Sequence, residues 1–139
     1  MCCKLPGLAE LAKPVGQWCQ FIARPIGTGC GCYDSRPQTC RTFACGWLQG
    51  EGTDALRPDR SRVVLTTPSN GVPVLLVDAQ YPDAWHQGAG GRWVAARLRA
   101  GEAVITVTGS QPPHLHTPDG TGRVRSTRLE AVPTTETPA

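Results

Sequence analysis

The sequence predicts an α+β chain: a cysteine-rich half of loops and short helices packed on a small antiparallel sheet with one or two helices. Three observations carry that expectation. All seven cysteines of the 139 residues fall at or before Cys45. The runs rich in β-branched residues come later, beginning at Val63. Glycine (16), proline (13) and an aromatic content of only 6% imply a modest core and many turns. The length fits one domain over residues 1–129, with 1–50 as the cysteine-rich half and 51–129 as the small α+β half. Residues 130–139 hold too few apolar side chains to order themselves and read as a disordered tail.

In the first half, Leu5, Leu8 and Leu11 allow one or two helical turns before Lys13-Pro14, because a residue preceding proline avoids the helical region. Gly27-Thr28-Gly29-Cys30-Gly31 reads as a tight turn. The best helix candidate of this half covers residues 36–48, with Pro37 in its first turn and Cys40, Phe43 and Trp47 on one apolar face. In the second half, residues 63–66 and 72–77 read as strands joined across Pro68-Ser69-Asn70-Gly71, a hairpin signal. Pro73 makes the second of these an edge strand or delays its start. Pro82-Asp83-Ala84-Trp85 begins a helical turn. Residues 91–100 form a short helix stopped by Gly101, burying Trp93, Val94 and Leu98. A strand over 103–108 follows, and Pro118-Asp119-Gly120 turns the chain toward a last strand over 123–129.

The cysteines carry the functional expectation. In a secreted domain such a density would mean disulfides. The amino terminus lacks the apolar stretch of a signal peptide, so the chain is expected in the cytoplasm, where thiols stay reduced and metal ligation is the better reading. An odd count cannot pair completely within one chain. Disulfides and free thiols remain the alternatives. Charge divides the chain in the same way: residues 1–50 carry five basic and two acidic side chains, and the remainder carries nine of each. Surplus positive charge lowers thiol pKa values and offsets the negative charge of four thiolates around a divalent ion. The overall charge of +3 is too small to imply nucleic acid, and no apolar run approaches the thickness of a bilayer.

Cys40-x4-Cys45 lies within the spacing of two zinc ligands, although no Cys-x2-Cys pair occurs. On one continuous helix these two side chains would point about 140° apart. Either the backbone deviates between them, near Gly46, or they serve different sides of a site. The other ligands come from Cys2, Cys3, Cys19 and Cys30 through loop closure. Cysteine ligands suit a zinc ion and an iron–sulfur cluster alike.

The order of residues adds a resemblance. Cys30-Gly31-Cys32-Tyr33-Asp34-Ser35-Arg36-Pro37-Gln38-Thr39-Cys40-Arg41-Thr42-Phe43-Ala44-Cys45-Gly46-Trp47-Leu48 resembles the C-x-I-Y-x-x-R-P-x-x-C-R-x-F-x-C-x-W-L signature of the YkgJ-type cysteine-cluster family, described as chelating zinc or iron. Cys2-Cys3-Lys4-Leu5 and Lys13-Pro14-x-Gly16-x-Trp18-Cys19 extend it upstream, and Leu56-Arg57-Pro58-Asp59-Arg60 and Pro82-Asp83-Ala84-Trp85 add short pieces downstream. The resemblance implies metal ligands at Cys30, Cys40 and Cys45, completed by Cys19, Cys2 and Cys3. It implies a buried thiol, and no ligand, at Cys32, where the signature carries an aliphatic residue. Two departures stand out. The family opens with C-G-x-C-C, which would place a cysteine two residues before Met1, so Met1 is expected to be an internal methionine. Phe21-Ile22 stands where relatives carry His-Cys, which removes one ligand. Tyr33, Phe43 and Trp47 read as core that would also shield the site, and Arg36 and Arg41 as donors to sulfur or partners of Asp34.

Other chemistry is thinly represented. His114-Leu115-His116 would set two imidazoles on one strand face, but the neighbouring prolines favour an exposed loop. His86 lacks an evident carboxylate or thiol partner. Gly88-Ala89-Gly90-Gly91 lacks the third glycine of the dinucleotide fingerprint and reads as a flexible turn. No catalytic constellation is recognised. Arg123, Arg125 and Arg128 read as a solvated strand face. The chain is therefore expected to be a metal-binding cysteine-cluster protein holding a zinc ion or an iron–sulfur cluster. The alternatives are a component of a methyltransferase-like or redox enzyme and a zinc-stabilised interaction module.

Overall fold

A computed structural model of the chain describes residues 1–26, 29–68 and 71–130. Three α-helices, α1 (Gln38–Thr42), α2 (Pro58–Ser61) and α3 (Gly88–Arg99), accompany a five-stranded mixed sheet. Its strands lie in chain order: β1 (Val63–Thr66), β2 (Val74–Val77), β3 (Val104–Thr108), β4 (His114–Pro118) and β5 (Val124–Arg128). Neighbours pair antiparallel except β2 and β3, which run parallel. The antiparallel sheet expected from the sequence is corrected at that pair. After β2 the chain passes through α3 and re-enters the sheet in the same direction, and such a crossover joins parallel strands. Pro73 delays β2 to Val74, but the strand is central, paired on both sides. Ser69 and Asn70 of the expected hairpin turn, Gly27 and Thr28 of the expected glycine turn, and the tail from residue 131 lie outside the described residues. Among the described residues no helix is long and apolar enough to cross a membrane.

Strand alternation gives the sheet two apolar faces. Val63, Leu65, Leu75, Val77 and Val104 share one of them and pack with Leu56 and with Val94 and Leu98 of α3. Helix α3 buries Gly90, Val94 and Leu98, one stripe at a spacing of four. A Cβ at Gly90 would stand 2.2 Å from the Ala84 carbonyl oxygen, so only glycine lets the helix approach the turn Pro82–Trp85 this closely. The glycine stretch read as a flexible turn is thus the first turn of α3, which begins at Gly88.

The opposite face is lined by Val64, Val74, Leu76, Ile105 and Val107, against which Leu5, Val15 and Cys45 from the first half pack. The Gly46 N–H donates to the Leu65 carbonyl at 2.7 Å and fastens this layer to β1. The helix expected over residues 36–48 is shorter: α1 ends at Thr42 and Phe43 is extended. No residue of α1 is buried, so no packed face prolongs it, and the chain leaves it to bring Cys45 and Gly46 onto the sheet.

Residues 114–118 form a strand and not the expected exposed loop, because Pro112 and Pro113 precede β4 and leave its ladder intact. His116 is buried there, with Nε2 2.9 Å from Thr106 Oγ1, Nδ1 2.7 Å from Ser126 Oγ, and its ring stacked 4.3 Å from that of Trp85. Burial, and then the charge of His114, lowers its pKa to about 4. His86 does have a carboxylate partner: Nε2 lies 3.0 Å from Asp83 Oδ1.

Candidate functional site

Four separate stretches deliver the cysteines. Cys2 and Cys3 lie in an opening turn closed by N–H bonds from Lys4 and Leu5 to the Met1 carbonyl, at 2.9 and 3.0 Å. The Cys19 N–H donates to the Cys3 carbonyl at 2.8 Å, which draws the second stretch onto the first. Cys30 pairs with Ile22 in an isolated antiparallel bridge, and Cys32 precedes the turn Tyr33–Ser35. Cys40 sits in α1, whose Thr39 hydroxyl donates to Glu10.

The sulfur atoms of these stretches share one electrostatic neighbourhood. Loss of solvent raises the Cys40 thiol, and the charges of Cys19, Cys30, Glu10 and Cys2 raise it further. Cys32 is raised by desolvation, by its hydrogen bond with Cys30, and by the charges of Cys30, Cys19 and Cys40. The adjacent Cys2 and Cys3 divide: the hydrogen bond between them lowers Cys2 to about 6 and raises Cys3, which also feels Cys30. Cys30 Sγ and Cys32 Sγ lie 3.6 Å apart.

Cys45 stands apart. It is buried against Leu5 and Val64, with Phe43 and Trp47 beside it. The aromatic side chains expected to shield the sulfurs therefore surround Cys45, while Tyr33 is exposed and covered on its ring by Arg36 at 3.6 Å. Arg41 donates to the carbonyls of Arg36 and Asp34, at 3.0 and 2.6 Å, and holds the loop before α1. Of the six cysteines expected as ligands, five belong to the shared neighbourhood, and Cys32 joins them there.

Two lysines organise the region. Lys13 Nζ donates to the carbonyls of Lys4 at 2.8 Å, Pro6, and Pro14 at 3.2 Å. Desolvation lowers its pKa, and the charges of Cys19, Cys3 and Cys40 act the other way. It is an ammonium within electrostatic reach of the thiols, a role the surplus of basic residues in the first half hints at but does not localise. Lys4 Nζ, buried beneath, lies 2.8 Å from Asp78 Oδ1, 3.2 Å from Gln80 Oε1 and 5.6 Å from the centre of the Trp18 ring. Asp78 follows β2, so this ion pair ties the residue after Cys3 to the sheet. The other Asp78 oxygen, Oδ2, is buried with no hydrogen-bond partner among the described residues.

An all-sulfur donor set with an ammonium beside it fits a zinc ion or an iron–sulfur cluster in chemistry. Among the described residues no three Cys, His, Asp or Glu side chains stand in an arrangement that could hold a metal ion. No protein-family model matches the chain, and no curated protein or solved structure matches it either.

Proposed function

We propose that the chain is a metal-binding cysteine-cluster protein, its first half folding around a zinc ion or an iron–sulfur cluster. The observation that supports this reading is the gathering of thiols from Cys2-Cys3, Cys19, Cys30-Cys32 and Cys40 in one electrostatic neighbourhood beside Lys13. Like charges within electrostatic reach of one another resist joint ionisation, so a compensating cation favours thiolates there. When bound, the metal supplies that charge and crosslinks the four stretches through sulfur. Lys13 offsets part of the remaining negative charge, while Lys4 and Asp78 hold the Cys2-Cys3 turn against the sheet.

The test is elemental analysis of the full chain purified without oxygen, with proton release followed as metal is restored. Stoichiometric zinc in a colourless protein, or iron and sulfide in a brown one, is expected. Each thiol that ligates releases a proton, so metal uptake acidifies a weakly buffered solution. A chain that retains and takes up no metal, with its thiols freely titratable, refutes the proposal.

A further inference from the structure

We infer that Cys30 and Cys32 together form the chelating arm of the metal site and that Cys45 takes no part in it. The assignment rests on the metal-binding reading above. A disulfide would hold the two sulfurs at about 2.05 Å. Two thiolates each about 2.3 Å from a tetrahedral zinc ion stand about 3.8 Å apart. The observed 3.6 Å between Cys30 Sγ and Cys32 Sγ is a thiol–thiol hydrogen bond, far from the first spacing and within a few tenths of an ångström of the second, so both sulfurs could reach one ion with little movement.

The backbone keeps it there. Cys30 bridges Ile22, and the Gly31 N–H donates to the Phe21 carbonyl at 2.7 Å. A Cβ at residue 31 would lie 2.8 Å from that same oxygen, so the close approach admits glycine alone. On the far side the Ser35 N–H closes on the Cys32 carbonyl at 3.0 Å. Main-chain bonds therefore hold the Cys30-Gly31-Cys32 segment at each end. Cys45 is held in a different setting: it is 4% exposed, and its neighbour Gly46 bonds to β1. Turning its sulfur out toward a metal would strip it from Leu5 and Val64. The roles that the sequence resemblance implies for positions 32 and 45 thus exchange.

The experiment titrates the reduced full chain with cobalt(II) under nitrogen, reading thiolate-to-metal charge-transfer absorption, affinity against a competing chelator, and far-ultraviolet circular dichroism. Cys32→Ser is expected to lose one thiolate's share of the absorption, about a quarter in a four-thiolate site, and to bind roughly tenfold or more weakly. Cys45→Ala, and Cys45→Val should the alanine variant fail to fold, are expected to keep the absorption and affinity of the parent. Wild-type absorption and affinity in Cys32→Ser overturn the inference, as does the loss of a thiolate's share in a folded Cys45 variant. If neither Cys45 variant folds, Cys32→Ser still decides the assignment of the Cys30–Cys32 arm. Failure of the parent chain to take up cobalt refutes the proposed function itself, and the assignment with it.

Discussion

The two faces of the sheet are covered by different means. On one, α3 lays a stripe of Gly90, Val94 and Leu98 over Val63, Leu65, Leu75 and Val77, and apolar contact does the joining. On the other, the cysteine-rich half contributes little apolar surface. Of the fifteen buried apolar residues among those described, only Leu5, Ile22 and Cys45 come from residues 1–50. The described residues of that half form no strand of the sheet and a single α-helix, of five residues. Directional bonds replace area there: Lys4 to Asp78, Lys13 to three carbonyls, Gly46 to Leu65. Few buried apolar contacts mean low local stability, so the sheet with α3 sets the global unfolding free energy and the cysteine layer opens more readily.

The largest expected effect comes from the tie between the two regions. Asp78→Ala leaves the Lys4 ammonium buried without its partner and should cost about 3–5 kcal/mol in urea unfolding. A cost below about 1 kcal/mol would mean that the ion pair does not join the halves. Next comes the sheet itself. Leu75→Ala, at a fully buried position, should cost about 3 kcal/mol and speed hydrogen exchange in the sheet and α3, while the cysteine layer, which exchanges through its own opening, changes little. Equal acceleration in both halves would break the proposed order of stabilities.

Acid should act through His116, on the α3 side. Its folded pKa of about 4 lies below the ordinary 6.5, so the buried neutral ring favours folding fully above pH 6.5. That stability is lost as pH falls toward 4, by roughly 2–3 kcal/mol, and His116→Gln should flatten the profile. An unchanged pH profile in that variant would assign the acid sensitivity elsewhere. The smallest effect belongs to Gly31→Ala, where the added methyl meets the Phe21 carbonyl. It should cost about 1 kcal/mol and raise exchange near Ala23 and Gly31 while leaving α3 protected. Loss of protection across α3 would show that the layers unfold as one.

Elements fixed by local pattern were legible in the sequence. The valine-rich runs at 63–66 and 74–77, the turn at Pro82 and the apolar spacing of Val94 and Leu98 all announce themselves within a few residues. What escaped depends on distant partners. The glycines at 88–91 signal flexibility by composition, yet Gly90 serves an approach to Ala84 that no window of sequence contains. His116 reads as exposed beside prolines until Thr106, Ser126 and Trp85 enclose it. Parallel pairing of β2 with β3 is a property of the connection and not of either strand. In the candidate site, residue type marked the cysteines, but the burial of Cys45 depends on Val64, a neighbour nineteen positions onward.

The ion pair between Lys4 and Asp78 spans 74 residues. At synthesis rates of about 5–20 residues per second, that gap takes roughly 4–15 s to translate. The stretch carrying the cysteines is thus made first, and the surface it docks against is finished last, when β3 takes its place beside β2. During that interval the nascent thiols meet solvent, small oxidants and chaperones before they meet their own scaffold. A cell making this chain therefore carries those sulfurs without their scaffold for several seconds of each round of synthesis.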